Sequence, residues 1–228
     1  MRILVTAAEQ QEIDCALRAY DAAELAGDNE VEIDFRLTGI GATNACYRVM
    51  KEVLTAVAQN RPYGLVINIG IAGSYDLEKY PVGSAAVISR EIFGDLGFEG
   101  KDGFDDLFRY GILDNDTFPY TDGALARQLL PYRELEDVLD KYGKATGVTV
   151  QCVTGSTHRR DELIRLYSPH IESMEGAAVY YACLMENVPF FELRTVSNAV
   201  GERDTKKWDT QAALRTLEQC CNDIFSIL

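Results

Sequence analysis

The chain has 228 residues, 47% of them hydrophobic, which is enough for one α/β domain with a full core. Its 22 Lys and Arg against 36 Asp and Glu give a formal charge of −14, and nothing in the sequence resembles a basic stripe for phosphate backbones, so a nucleic-acid partner is not expected. No apolar run approaches the roughly 18 residues that span a bilayer, and Arg2 to Asp14 turns polar after one short run. A cytoplasmic protein with no membrane contact is expected.

Six cysteines, at positions 15, 46, 152, 183, 220 and 221, lie scattered and mostly inside apolar patterns, with no C-x-x-C and no metal-ligand spacing. Reduced, mainly core residues are expected.

Arg2 to Ala8 has strand propensity, and Glu9 to Leu25 repeats Ile13, Leu17, Tyr20 and Leu25 at helical spacing before Gly27. Glu12 falls near this strand-to-helix junction, where a side chain can face the open end of a sheet. Val31 to Leu37 alternates as a strand with one polar face and runs into Thr38-Gly39-Ile40-Gly41. The two glycines permit a tight turn before a helix from Thr43 to Gln59, whose amides could hold an anion, or the glycines serve the turn alone. Asn44 stands where a dinucleotide fingerprint has its third glycine, so that fingerprint is rejected.

Leu65 to Ile69 reads as a buried strand ending in a small-residue turn, Gly70-Ile71-Ala72-Gly73-Ser74, where a flat ligand could approach the main chain. Ser84 to Ser89 is a further strand. Arg90 to Asp122 then mixes glycine, aspartate and phenylalanine irregularly, as a lid or a packed loop, with Phe98, Phe104, Phe108 and Phe118 as a possible apolar wall. Thr146 to Val153 alternates as a strand, ends in Thr154-Gly155-Ser156, and precedes His158 and a short helix from Asp161 to Tyr167. No repeat, low-complexity tract or linker divides residues 1–228, so a single domain is expected.

A helical pattern opens at Gly176-Ala177-Ala178 and ends near Asn187. Pro189 stops it and starts a nearly continuous apolar strand to Ser197, with Glu192 and Arg194 inside. Such strands lie within sheets covered on both faces, and ligands bind beyond their carboxyl ends, where Ser197 and Asn198 stand. Thr205 to Leu228 carries Leu214, Leu217, Cys221, Ile224 and Phe225 on one stripe of an amphipathic helix. The chain lacks H-E-x-x-H, G-x-S-x-G and P-loop motifs, and its two histidines cannot build a multi-histidine metal site, so neither metal nor organic cofactor is expected.

Met174-Glu175-Gly176-Ala177-Ala178, followed by Thr195-Val196-Ser197-Asn198, resembles the nucleoside phosphorylases and nucleosidases that cleave purine N-glycosidic bonds. The likeness runs from Ile3 to Trp208. It implies a single-domain α/β fold with a central mixed, largely parallel sheet flanked by helices. It also implies a small-molecule nucleoside substrate and a homo-oligomer, with a dimer expected. In the relatives the region matching 90–122 contributes to the oligomer contact and closes over the 5′ side of the substrate.

The resemblance also assigns roles. Glu175 would accept the ribose hydroxyls beside a cationic transition state, with Met174 as an apolar ribose wall. Ala72 and Gly73 would lie by base and ribose, His158 near the base, and Glu12 would take a proton from the attacking water. Each glutamate could instead be a helix-start carboxylate favoured by the dipole, His158 a surface or capping residue, and Asn198 a strand cap. Where adenine-specific members carry aspartate, Asn198 offers donors to the paired O6 and N7 acceptors of a 6-oxopurine. Inosine or methylthioadenosine cleavage, phosphorolysis and a non-catalytic nucleoside-binding module are the alternatives. Arg203, Arg194 and Lys101 are candidates for holding an anionic substrate arm.

Overall fold

A computed structural model describes residues 1–24, 31–101, 103–202 and 204–228. The expected Leu25 and Gly27 at the end of the first helix, and Arg203, lie outside the described residues.

Two long strands form the spine. β3 (Leu65–Ser74) and β10 (Phe190–Ala199) run parallel over their whole length. On the outer side of β3 lie β1 (Arg2–Ala7) and then β2 (Glu32–Leu37), both parallel. On the other side β10 pairs antiparallel with β4 (Ala85–Phe93), β4 pairs parallel with β8 (Gly143–Thr149), and β8 with β9 (Ile171–Ser173). β9 returns antiparallel to β3 at Gly73 and Ser74. Strands β3, β10, β4, β8 and β9 therefore close a circuit, and its closure was not foreseen from the sequence. A short β7 (Leu125–Ala126) adds to β4, and β5 (Gly97–Gly100) and β6 (Gly103–Asp106) form a separate hairpin.

The strands bury both faces by alternation. Leu4 and Val66 face one apolar layer with α2 (Ala42–Ala58) and α5 (Gly176–Met185). Ile3, Val5, Leu65, Ile67 and Ile69 face the other with α1 (Gln10–Glu24), α3 (Arg133–Leu139) and α6 (Thr210–Phe225). α2 turns Ala45, Val49, Val53 and Ala56 inward at helical spacing. α5 is buried almost all round, from Gly176 to Leu184, so it packs inside the layers rather than over them. α4 (Thr157–Tyr167) is capped by Ser156, which accepts from the Arg159 amide, and α6 by Asp209, which accepts from Ala212. All six cysteines are free. Four are buried, Cys46 is half-buried and Cys152 is exposed.

Several expectations need correction. Gly70 to Ser74 is no turn; β3 continues through it. Its glycines serve close packing instead: a methyl carbon at Gly70 would sit 2.2 Å from Arg194 Nη1 and 2.9 Å from Glu12 Oε1. β4 extends to Phe93, so the irregular stretch starts at Gly94 rather than Arg90. Within it Phe104 is buried, while Phe98 and Phe118 are exposed. The C-terminal helix begins only at Thr210, after a 3₁₀ turn at Thr205–Lys207.

Because β10 sets Arg194 opposite Gly70, Gly70→Ala is expected to lose about 1–3 kcal/mol of stability, as overpacked cores do. Urea unfolding measures it, and a variant as stable as wild type would show that Arg194 has room to move aside.

Candidate active site

The ends of β3 and β10, the short β9 and the first turns of α1 and α2 meet at one edge of the closed circuit. On β10 the register slips there, with Val196 opposite Ala72 but Asn198 opposite Gly73. Ser197 is thus the extra residue of a bulge, a device that redirects neighbouring side chains. β9 leads directly through Met174 and Glu175 into α5.

Two of the four glutamates that line the cleft are Glu12, 5% exposed, and Glu175, 6% exposed. Glu12 Oε2 accepts from its own helix start, the Glu9 amide at 2.9 Å, and Oε1 accepts from the Ile71 amide at 2.8 Å. It therefore caps α1 and also faces the sheet end. Glu175 precedes α5 but makes no side-chain cap bond to it. Its Oε1 instead accepts from the Gly41 amide at 2.9 Å. The anion held at the start of α2 is thus the protein's own carboxylate, and Gly41, at φ 94, adopts the backbone that permits it.

Between the two carboxylates lies Arg194, 1% exposed. Its Nε donates to Glu192 Oε1 at 2.6 Å, and Nη2 lies 3.8 Å from Glu175 Oε2. Burial pushes the Glu12 carboxyl above its ordinary range; Arg194 and the two amides pull against that rise, and the charge of Glu175 adds to it.

Asn198 is held as an oriented amide. Ser197 Oγ lies 2.7 Å from its Oδ1, where the hydroxyl donates, and its Nδ2 donates to the Ala199 carbonyl at 2.9 Å. One N–H of that nitrogen remains for a ligand. Gly73 gives it clearance, since a methyl carbon there would lie 3.3 Å from Nδ2 and 2.9 Å from Val200 Cγ2.

The cleft encloses about 210 Å³ and is lined by Glu12, Ala72, Gly73, Met174, Glu175, Ser197 and Asn198. Of the residues to which the resemblance gave a role at base, ribose or water, all are there except His158. That histidine sits in the first turn of α4 and lines an outer cleft with Phe104, Arg159 and Lys101. The structure does not bring it to the cleft of Glu12 and Asn198, because α4 begins at Thr157, four residues before the expected start, and carries it to the outer one. The sequence reading missed Glu9, Ile40, Val153, Glu172 and Trp208, which line the cleft together with Ala8, Ile71 and Ser173. Trp208 is the chain's single tryptophan, and its indole donates to the Glu202 carbonyl at 3.0 Å. Its place just beyond the Ser197-Asn198 strand end was the available signal.

The lining carries Glu9, Glu12, Glu172 and Glu175 and, among the described residues, neither lysine nor arginine. Of the cationic candidates, Arg194 is engaged beneath the cleft and Lys101 lies on the outer one. Among the described residues no group of three or more His, Cys, Asp or Glu is arranged to hold a metal, and no helix is long and apolar enough to cross a membrane. Chemically, two oriented carboxylates beside an amide donor suit a reaction in which positive charge develops on one substrate fragment and negative charge on the other.

Residues 31–228 match the model of the phosphorylase superfamily. A futalosine hydrolase of Streptomyces coelicolor is 31% identical over all of this chain and 97% of its own. One from Acidothermus cellulolyticus is 36% identical over 72% of this chain and 68% of its own. Among solved structures, futalosine hydrolase of Helicobacter pylori superposes with a TM-score of 0.78 at 17% identity, covering 100% of this chain and 98% of its own. A 5′-methylthioadenosine/S-adenosylhomocysteine nucleosidase of the same organism superposes at 0.76 and 16% identity, over 100% and 97%.

The burial of Glu12 has a measurable signature. Its carboxyl carbon is expected to titrate by NMR above the ordinary glutamate value of about 4.3, so the ionised form prevails only above that raised midpoint. With the folded value above the unfolded one, the stability Glu12 adds is complete at acid pH and is lost as pH rises through its folded midpoint. A midpoint at or below the ordinary range would mean that desolvation does not govern this group.

Proposed function

We propose that this chain, which belongs to the phosphorylase superfamily, hydrolyses the N-glycosidic bond of futalosine, releasing hypoxanthine and dehypoxanthinyl futalosine for menaquinone synthesis in the cytoplasm. The observation that carries the reading is the amide nitrogen of Asn198, with one N–H free, in the same cleft as Glu12 and Glu175. A 6-oxopurine rim offers acceptors at O6 and N7, and an amide nitrogen matches them. An adenine rim, with an amine beside N7, would leave one donor facing another.

In the proposed reaction Glu12 orients a water and takes its proton as the oxygen bonds to the anomeric carbon. The C–N bond breaks and its electron pair passes to the purine, where the Asn198 N–H supports the charge developing at N7 and O6. Asn198 has no proton to transfer, so the purine is finally protonated by solvent. Glu175 accepts the ribose hydroxyls, and its charge favours the oxocarbenium-like sugar. Met174 forms the apolar ribose wall, and Ala72 and Gly73 let the nucleoside approach the main chain.

Water rather than phosphate is supported by the four carboxylates of the lining and by the lack of a lysine or arginine among its described residues. A phosphate nucleophile needs a cationic site and would meet repulsion here. Exposed Tyr47, Leu54 and Val57 on α2, with Ile40 at the cleft rim just before it, support assembly as a homodimer. No described residue of 90–122 lines the cleft, so a closing role for that segment needs movement or a second copy.

Release of free base from futalosine, inosine and methylthioadenosine, each with and without phosphate, tests the whole reading. Phosphate-independent release from futalosine is expected, and no release from any of the three would leave a binding module. Asn198→Asp is expected to cut kcat/KM for futalosine about tenfold to a hundredfold, the effect of one mismatched buried polar group. Unchanged values for futalosine and adenine nucleosides alike would reject this role. Glu12→Gln is expected to lower kcat by about 10² to 10⁴ with KM little altered. Weakened binding with intact turnover would remove Glu12 as the base.

A further inference from the structure

Behind the cleft carboxylates lie two more that the reaction above does not use. Glu192 on β10 and Glu91 on β4 are both 0% exposed. They meet beneath the start of α5. A methyl carbon at Gly176 would lie 2.4 Å from Glu91 Oε1 and 2.7 Å from Glu192 Oε1, and one at Gly147 would lie 1.9 Å from Glu91 Oε1. Glycine at both places leaves the room that this carboxyl pair fills.

Their partners differ. Glu91 Oε2 accepts from Thr149 Oγ1 at 2.7 Å, and that hydroxyl oxygen accepts the Ala177 amide at 2.7 Å. Glu91 Oε1 has no partner. Glu192 Oε1 takes Arg194 Nε at 2.6 Å, while its Oε2 is unpartnered. Adjacent carboxylates shielded from water do not both ionise. Only Glu192 has a cation in hydrogen-bonding contact, so Glu192 carries the charge and Glu91 keeps its proton.

We propose that Glu192 is a positioning residue for glycosidic cleavage, pinning Arg194 by Nε and offsetting its charge so that the guanidinium orders Glu12 and Glu175 without quenching Glu12 as a base. This rests on Glu12 acting as the base. Arg194 Nη1 and Glu12 Oε1 are neighbours above Gly70, and Nη2 points toward Glu175 with no hydrogen-bond partner of its own. An uncompensated guanidinium there would drain proton affinity from Glu12. The ion pair with Glu192 limits that loss and fixes the rotation of the guanidinium.

The groups facing this centre can be named element by element. β10 supplies Arg194 and Glu192, β4 supplies Glu91, and β3 supplies the neutral Asn68. α5 and its lead-in supply Tyr180 and Glu175, and α1 supplies Glu12 with the Glu9 amide at its back. Burial holds Glu91 well above the carboxylate range, with Glu192 adding to the rise, and holds Tyr180 in its neutral phenol form.

The test is the pH profile of kcat for futalosine in Glu192→Gln, which keeps the shape and removes the charge. The acid limb is expected to move to lower pH, with plateau kcat down about 3- to 10-fold, as a weakened general base gives, and KM within about twofold. Loss of stability alone would not move that limb. An acid limb at the wild-type position overturns the proposal. Glu91→Gln exchanges one neutral group for another, so its limb is expected to stay in place; a shifted limb overturns the assignment of charge. If Glu192→Gln does not fold, Glu192→Asp, whose shorter arm loosens the contact with Arg194 Nε, takes its place: a smaller shift of the limb to lower pH is expected, and no shift overturns the proposal. NMR titration of Glu12 in the same variants needs no turnover. A lowered midpoint in Glu192→Gln supports the electrostatic link even if Glu12→Gln stays active and the base role fails; an unchanged midpoint overturns the link.

Discussion

A guanidinium sealed inside a closed sheet is the constraint on which the rest of this structure depends. Arg194 lies in the notch above Gly70, bound through Nε to Glu192 and flanked by Glu12 and Glu175. Removing such ions from water costs several kcal/mol each, and only close opposite charges and oriented donors repay it. The pairing ties together parts far apart in sequence. Glu12 comes from α1, Gly70 from β3, Glu175 from the lead into α5, and Arg194 and Glu192 from β10. The β3–β10 register that sets Arg194 opposite Gly70 also carries the bulge at Ser197 that delivers Asn198. Packing of the barrel and geometry of the cleft are therefore one arrangement.

The sequence displayed what depends on local pattern. The β10 run, the α2 stripe and the start of α5 are legible because their apolar residues repeat at the period of their own element. The Met174-Glu175 block and the Ser197-Asn198 pair were legible as a likeness. What failed was non-local. Gly70 and Gly73 looked like a turn because glycine commonly marks one, yet here each makes room for a side chain across the strand pair, from Arg194 and Asn198 respectively. The sequence alone suggests no role for Glu192 and makes Arg194 a candidate for an anionic substrate arm, although both are charges that the strand encloses. The closure through β9 rests on a three-residue strand, too short for any period to appear. His158 lies apart from the other candidates because chain position after a strand end gives no direction, and α4 carries it to the outer cleft.

The two glutamates relate differently to the helices they start. Glu12 caps α1 and also lines the cleft, with one oxygen on the Glu9 amide and the other on Ile71. Each oxygen retains a lone pair, so capping does not exhaust the group. Glu175 ignores its own helix and bonds to the start of another. Its orientation is thereby set by the β2–α2 junction, and the tight backbone at Gly41 shapes the cleft without lining it.

The sign of the cleft's charge bears on which nucleophile it admits. At an effective dielectric near 20, a unit charge about 4 Å from a carboxylate interacts by about 4 kcal/mol, before screening by the open mouth of the cleft. Glu9, Glu12, Glu172 and Glu175 all line it. For a sugar gaining positive charge that field is favourable, and it grows along the reaction coordinate, which is where stabilisation accelerates a step. For an entering phosphate the same field is unfavourable from the outset. A neutral water meets no such barrier; in the proposed reaction it needs only a base, and Arg194 below pulls the Glu12 carboxyl toward the ionised form beside other carboxylates. The acidic lining thus favours both the transition state and the neutral nucleophile, at the cost of one buried cation and the glycines that make room for it.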